Sequence, residues 1–280
     1  MILVLVYGLL KGGREAVKKK CLEKNTVPEV LFVYTLIGFL FLLPETGKAL
    51  QMNFKFMPVI ALKSSMIFVA WILSFRVIKK MPIGIYGILD MSRVLFATFL
   101  GVLVLGEKLS VFQMIGMPLV LLGLFLLRVL KSNAEDSEKV EIKYVIFAVI
   151  SCLLNAISGL MDKIIMQKDI TSAELQFWYM LLLVIFYGIC YFFDKNRAPV
   201  KELRPNWWIL LLAIMFVIGD RCLFIANGYE ESKVTIMTLI KQSACFVTIA
   251  LGYFVYKEKG IGKKVICAAV VLTGIVIAVL

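Results

Sequence analysis

Ten apolar runs of helical length, set apart by short charged connections, constrain this chain more than any other feature. A membrane-crossing helix needs about 20 largely apolar residues, because backbone polar groups in lipid must be satisfied within the segment itself. Candidate spans fall near residues 1–17, 28–43, 57–78, 82–104, 111–130, 143–166, 174–193, 206–228, 233–256 and 262–280 of the 280. The cuts coincide with Pro44-Glu45-Thr46-Gly47, Lys79-Lys80-Met81-Pro82, the polar stretch from Lys131 to Glu141, and Asp194-Lys195-Asn196-Arg197-Ala198-Pro199. Hydrophobic residues make up 61% and charged ones 18%, against about half and about a quarter in a soluble domain. The pattern predicts an all-α integral membrane protein of ten helices, with connections too short to hold a soluble domain.

Several function classes drop out on residue type. Histidine is absent, which removes the Ser-His-Asp triad, the H-E-x-x-H zinc motif and any imidazole relay. Six cysteines lie far apart without a C-x-x-C pair and read as small buried hydrophobes. No G-x-x-x-x-G-K-[ST] loop exists, so ATP coupling within the chain is excluded. The loops offer no paired acid and base or nucleophile, so an enzyme is not expected, nor a cofactor or a metal. The net charge of +12 lies mostly in short connections, which suits lipid head groups and membrane topology and argues against nucleic acid. Ahead of the apolar stretch Met1 to Leu10 there is no basic segment and after it no small-residue cleavage site, so a cleaved signal peptide is not expected.

Of the 31 Lys and Arg, 21 fall in or beside odd-numbered connections, six in or beside even-numbered ones and four inside spans. The positive-inside rule then places the odd connections in the cytoplasm and both termini outside. Two of the 21, Lys11 and Arg14, fall within the first span as drawn, and without them the bias is still 19 to 6.

Sliding the chain against itself by 151 residues pairs residues 84–129 with 235–280, and eleven of the 46 positions match. Ser92 meets Ser243, Gly101 meets Gly252, Glu107-Lys108 meets Glu258-Lys259, and Gly123 meets Gly274. Gly8 falls on Gly159 at the same offset, and after a six-residue gap Glu29, Phe32 and Tyr34 fall on Glu174, Phe177 and Tyr179. Residues 1–130 and 143–280 thus read as two five-helix repeats joined by 131–142. An odd number of crossings per repeat inverts the second in the membrane, an arrangement typical of secondary transporters.

With these features the chain resembles the drug/metabolite transporter superfamily, specifically proteins with two EamA-type domains. The resemblance rests on the paired five-span units, on Leu105-Gly106-Glu107-Lys108-Leu109 and Tyr256-Lys257-Glu258-Lys259 closing the fourth and ninth spans, and on Gly116, Gly123 and Gly274. It implies transport by alternating access and both termini in the cytoplasm, opposite to the loop-charge reading. A proline common in the family's fourth and ninth spans is replaced by Ser92 and Ser243, so no bend is assumed there. Nucleotide-sugar and triose-phosphate branches carry a phosphate-contacting lysine ending a Gly-Ala-Leu-Asn-Lys motif. Here Met237-Thr238-Leu239-Ile240-Lys241 matches it at two positions.

An ionisable side chain near the bilayer centre is costly and is a functional candidate by default. Lys63, Asp90, Arg93, Asp220, Arg221 and Lys241 qualify. Asp90 and Arg93 share a helix face with Tyr86 and Ala97. The repeat makes Lys241 the equivalent of Asp90, so the two are expected as ion-pair partners. Asp220 and Arg221 are neighbours, so one faces the cavity while the other reaches an adjacent helix. Lys63 lies off the centre of its span and Arg76, Asp162 and Lys163 nearer the ends, where snorkelling accounts for them. Asn155, Ser158 and Asp162 form a polar stripe suited to helix–helix contact. Trp207-Trp208 reads as an interfacial anchor, while Trp71, Trp178 and Tyr86 are deep enough to wall a pocket or pack in a core.

The candidate substrate-contacting set is Lys241, Arg93, Asp90, Tyr86, Thr238, Arg221, Asp220, Lys63 and Trp71. Bases outnumber acids among the six central charges, which favours a carrier of a small polar, anionic organic metabolite. An exporter of amino acids or organic cations and a lipid-handling or structural component are the alternatives. Partners are then a small solute and the lipid bilayer, with monomer and homodimer both open, in a multi-pass protein of the bacterial inner membrane.

Overall fold

A computed structural model describes residues 2–105, 110–129, 141–194, 206–229, 241–242 and 244–279, all helix and short connections with no strand among them. The helices are α1 (Ile2–Leu22), α2 (Val27–Leu42), the single turn α3 (Thr46–Ala49), α4 (Met57–Lys80), α5 (Ile83–Asp90), α6 (Arg93–Leu105) and α7 (Val111–Val129) in the first half. The second half has α8 (Ile142–Met166), α9 (Ser172–Phe193), α10 (Trp207–Gly228), α11 (Ala244–Phe254) and α12 (Ile261–Val279). Seven helical stretches among the described residues are long and apolar enough to cross a membrane, and Val111–Leu126 and Ala244–Phe254 are shorter apolar helices. Outward-facing apolar side chains such as Leu103, Phe125, Ile142 and Phe193 are exposed, as a lipid-facing surface requires.

Two positions matched by the repeat do the same local work. Thr26 and Glu29 form a capping box that starts α2, and Thr171 and Glu174 form one that starts α9. Each hydroxyl accepts from the backbone N–H three residues on and each carboxylate accepts from the cap N–H, satisfying donors that lipid cannot.

Packing follows the same exchange of halves. Helix α1 lies along α10 as α8 lies along α4; α2 touches α10 as α9 touches α4; α1 meets α11 as α8 meets α6. Of the remaining major pairs, α2 with α9 and α7 with α12 join equivalent helices to each other, and α5 packs on α11. The closest of these seams is α7 with α12. A Cβ added to Gly116 would stand 2.3 Å from the Gly274 carbonyl oxygen, and one on Gly274 would stand 2.7 Å from that of Gly116. Without side chains there, the two backbones approach closely, which is how helices gain contact in lipid.

Two expectations need correction. The first helix runs past the expected end at 17 to Leu22 and so carries Lys18, Lys19 and Lys20 as well as Lys11 and Arg14. Paired charges can be buried in a helix that hydropathy alone would end early. The fourth span is also broken although it lacks the proline: α5 stops at Asp90 and α6 begins at Arg93. Met91 and Ser92 donate to Ile88 and Leu89, and Val94 donates to Met91, each three residues back, so this turn winds tighter than an α-helix. Cations gather at the freed C-terminal end of α5, where the helix dipole favours them. Lys11 Nζ donates to Asp90 Oδ2 at 2.5 Å and Arg93 Nη2 to Oδ1 at 2.7 Å.

Glu258 closes one end of the bundle. Its carboxylate accepts from the Ile83 and Gly84 N–H groups at the start of α5, at 2.6 and 3.1 Å, and pairs with Lys264 at 2.7 Å and Lys19 at 3.8 Å.

Candidate functional site

Between the halves lies a cavity of about 230 Å³ lined by α1, α2, α4, α5, α6, α8, α9, α10 and the Lys241–Gln242 segment. Helix α1 contributes more charged side chains than any other helix. Tyr7, Lys11, Arg14 and Lys18 recur at helical spacing and all reach the lining, joined by Glu15. Facing them are Lys63 on α4, Arg93 on α6, Asp162 and Lys163 on α8, Asp220 on α10, and Lys241. Basic groups therefore exceed acidic ones on the cavity wall.

Each carboxylate of this set is engaged. Asp220 accepts from Arg14 Nη1 at 3.3 Å and from the Tyr179 hydroxyl at 3.1 Å. Glu15 pairs with Lys18 at 2.9 Å. Asp162 Oδ1 stands 3.1 Å from Lys63 Nζ, without the alignment of a hydrogen bond. Asp90, behind the wall, is shared by Lys11 and Arg93. Lys241 and Lys163 differ: among the described residues neither has an ion pair, and Lys241 Nζ stands 6.0 Å from the centre of the Tyr7 ring.

The other wall is aromatic. Tyr34, Trp71 and Phe216 pack mutually with centroids 4.9 to 5.7 Å apart, and Tyr179 joins Phe216 and Phe224. All five line the cavity. Arg14 lies over Phe216 at 5.2 Å, and Lys63 lies over Tyr179 at 3.9 Å and Phe224 at 5.5 Å, so ring faces stabilise two of the buried cations. Tyr86 also reaches the cavity and shares a hydrogen bond with Ser74 at 2.7 Å.

Of the residues singled out from the sequence, Lys241, Arg93, Tyr86, Asp220, Lys63 and Trp71 meet at this cavity. Asp90 stands behind Arg93 and Lys11, and its expected pairing with Lys241 is replaced by theirs. Equal depth in the two repeats does not bring side chains into contact, whereas the crossing of α1 over α5 does. Arg221 turns away from the cavity to Glu45, at 2.6 and 2.9 Å, and to Gln176 at 2.5 Å, leaving Asp220 to face inward. Lys63 does not snorkel: it is 2% exposed and paired with Asp162, which is likewise buried. The stripe Asn155, Ser158 and Asp162 lines the cavity. Trp178 donates to the Ala49 carbonyl and packs on Phe54 and Phe177, away from the cavity lining. Thr238 lies outside the described residues, as do Ser243, Glu107 and Lys108.

Sequence reasoning missed Lys11, Arg14, Glu15 and Lys18 as cavity residues. The signal was present, since positions 7, 11, 14 and 18 trace one helix face.

The model of the EamA-like transporter family matches residues 1–129 and 142–280. No curated protein matches the chain. A solved structure titled "Crystal structure of protein" is similar at 15% identity, with a TM-score of 0.69 over 99% of this chain and 95% of that one. At that identity the likeness speaks for the fold alone.

Proposed function

The chain belongs to the EamA-like transporter family, within the drug/metabolite transporter superfamily, and from that premise we propose that it carries a small organic anion across the membrane by alternating access. In this reading ten spans form two inverted repeats, with domains 1–130 and 143–280 rocking about the cavity. Such a repeat exposes one site to each side in turn.

One observation carries the anionic assignment. The carboxylates at the cavity are all engaged, while Lys241 has no ion pair among the described residues. An ammonium deep in a membrane protein without a counter-ion is costly, and an anion that supplies one gains a charge-assisted hydrogen bond. Tyr34, Trp71 and Phe216 suit an apolar or ring-bearing body on the same solute. The cation-exporter alternative needs a free carboxylate, and Asp90 already serves Lys11 and Arg93.

Thermal unfolding of the detergent-solubilised protein against a panel of carboxylates, phosphates and organic cations tests this reading. Organic anions are expected to raise the unfolding temperature, and Lys241→Ala to weaken their binding about 10- to 100-fold. Stabilisation by cations alone, unchanged in Lys241→Ala, would exclude it.

A further inference from the structure

The 151-residue offset that places Lys241 on Asp90 also places Asp162 on Lys11. The central couple of the first half, Lys11–Asp90, thus has a positional twin in the second half, Asp162–Lys241, with the charges exchanged. The first couple is formed, at 2.5 Å. The second is open: Asp162 lies against Lys63 with Oδ1 lacking a hydrogen bond, and Lys241 has no ion pair among the described residues.

A repeat protein that changes its facing by swapping the conformations of its halves must form in one half what it opens in the other. Resting on the carrier reading above, we propose that Asp162 is the built-in counter-ion of Lys241. In the opposite-facing empty state it leaves Lys63 and closes on Lys241, in the place the transported anion occupies when the carrier is loaded. Lys63 retains the ring faces of Tyr179 and Phe224 when Asp162 departs. Asp162 is then a positioning residue for the empty carrier's return: a loaded carrier crosses with Lys241 neutralised by its cargo, an empty one with Lys241 neutralised by Asp162.

This division separates net transport from exchange. With benzoate as the probe, a single ring bearing one carboxylate, wild-type proteoliposomes are expected to show both uptake into empty vesicles and exchange against internal benzoate. Asp162→Asn should slow net uptake roughly 100-fold, the penalty of carrying an uncompensated charge through the midplane, and leave exchange at the wild-type rate. Asp162→Glu, which restores the carboxylate, should recover net uptake, and the unfolding temperature of Asp162→Asn guards against misfolding. Equal loss of net uptake and exchange in well-folded Asp162→Asn would overturn the proposal. Cross-linking decides it independently of benzoate. In a cysteine-free background, Asp162→Cys/Lys241→Cys should be bridged by a short bifunctional thiol reagent in membranes without anion. Absence of bridging there, while Lys11→Cys/Asp90→Cys is bridged, would also overturn it. Bridging without benzoate flux in the wild type would instead keep the counter-ion pair and remove the anion carrier built around it.

Discussion

Two seams of this molecule hold helices together inside lipid by opposite means. Where α7 crosses α12, glycines let the backbones touch. Where α1 meets α5 and α10, and where α8 meets α4, contact runs through buried ion pairs. The first seam is a scaffold with one good arrangement, since close packing tolerates little displacement. The second has several carboxylates and more cations, so partners can be traded without leaving an acid unpaired. A transporter needs both: a fixed frame and a centre whose pairings can change.

Removing a carboxylate from the charged seam should have the largest effect on stability. Asp90→Ala strands Lys11 and Arg93 in the interior and is expected to cost about 3–5 kcal/mol, read as a fall in unfolding temperature of the purified protein. A loss comparable to a surface change would show that water already compensates these charges.

The glycine seam should respond next, and differently. Gly274→Ala forces its new methyl against the Gly116 carbonyl oxygen and the Val120 nitrogen, an overpacking expected to cost about 1–3 kcal/mol. Transport per folded molecule should stay unchanged, because the seam is remote from the cavity lining. Altered transport with unaltered stability would erase the distinction between the seams.

The smallest effect belongs to Arg221. Its pair with Glu45 is partly exposed, with side chains 23% and 33% accessible, so Arg221→Ala should cost below about 1 kcal/mol and leave anion binding intact. Loss of binding in this variant would move Arg221 back into the candidate site.

Much of this was legible in the sequence, for identifiable reasons. Spans such as α4, α8 and α9 announce themselves by uninterrupted apolar length, and the capping boxes by Glu29 and Glu174 recurring in register. The first helix was not legible to its end, because hydropathy stops it before Lys18, Lys19 and Lys20, which the helix carries on to Leu22. Nor was the break at Met91-Ser92, which lacks the proline that marks such sites and is accompanied by an ion pair across it, Arg93 to Asp90. The offset sets Asp90 and Lys241 at equivalent positions but does not say which partner each holds, since that depends on how α1 crosses α5.

Solute flux in proteoliposomes tests the central claim most directly. Uptake of an organic anion that is abolished by Lys241→Ala and retained by Arg221→Ala is the predicted result. Uptake that ignores Lys241, or flux confined to organic cations, would contradict it.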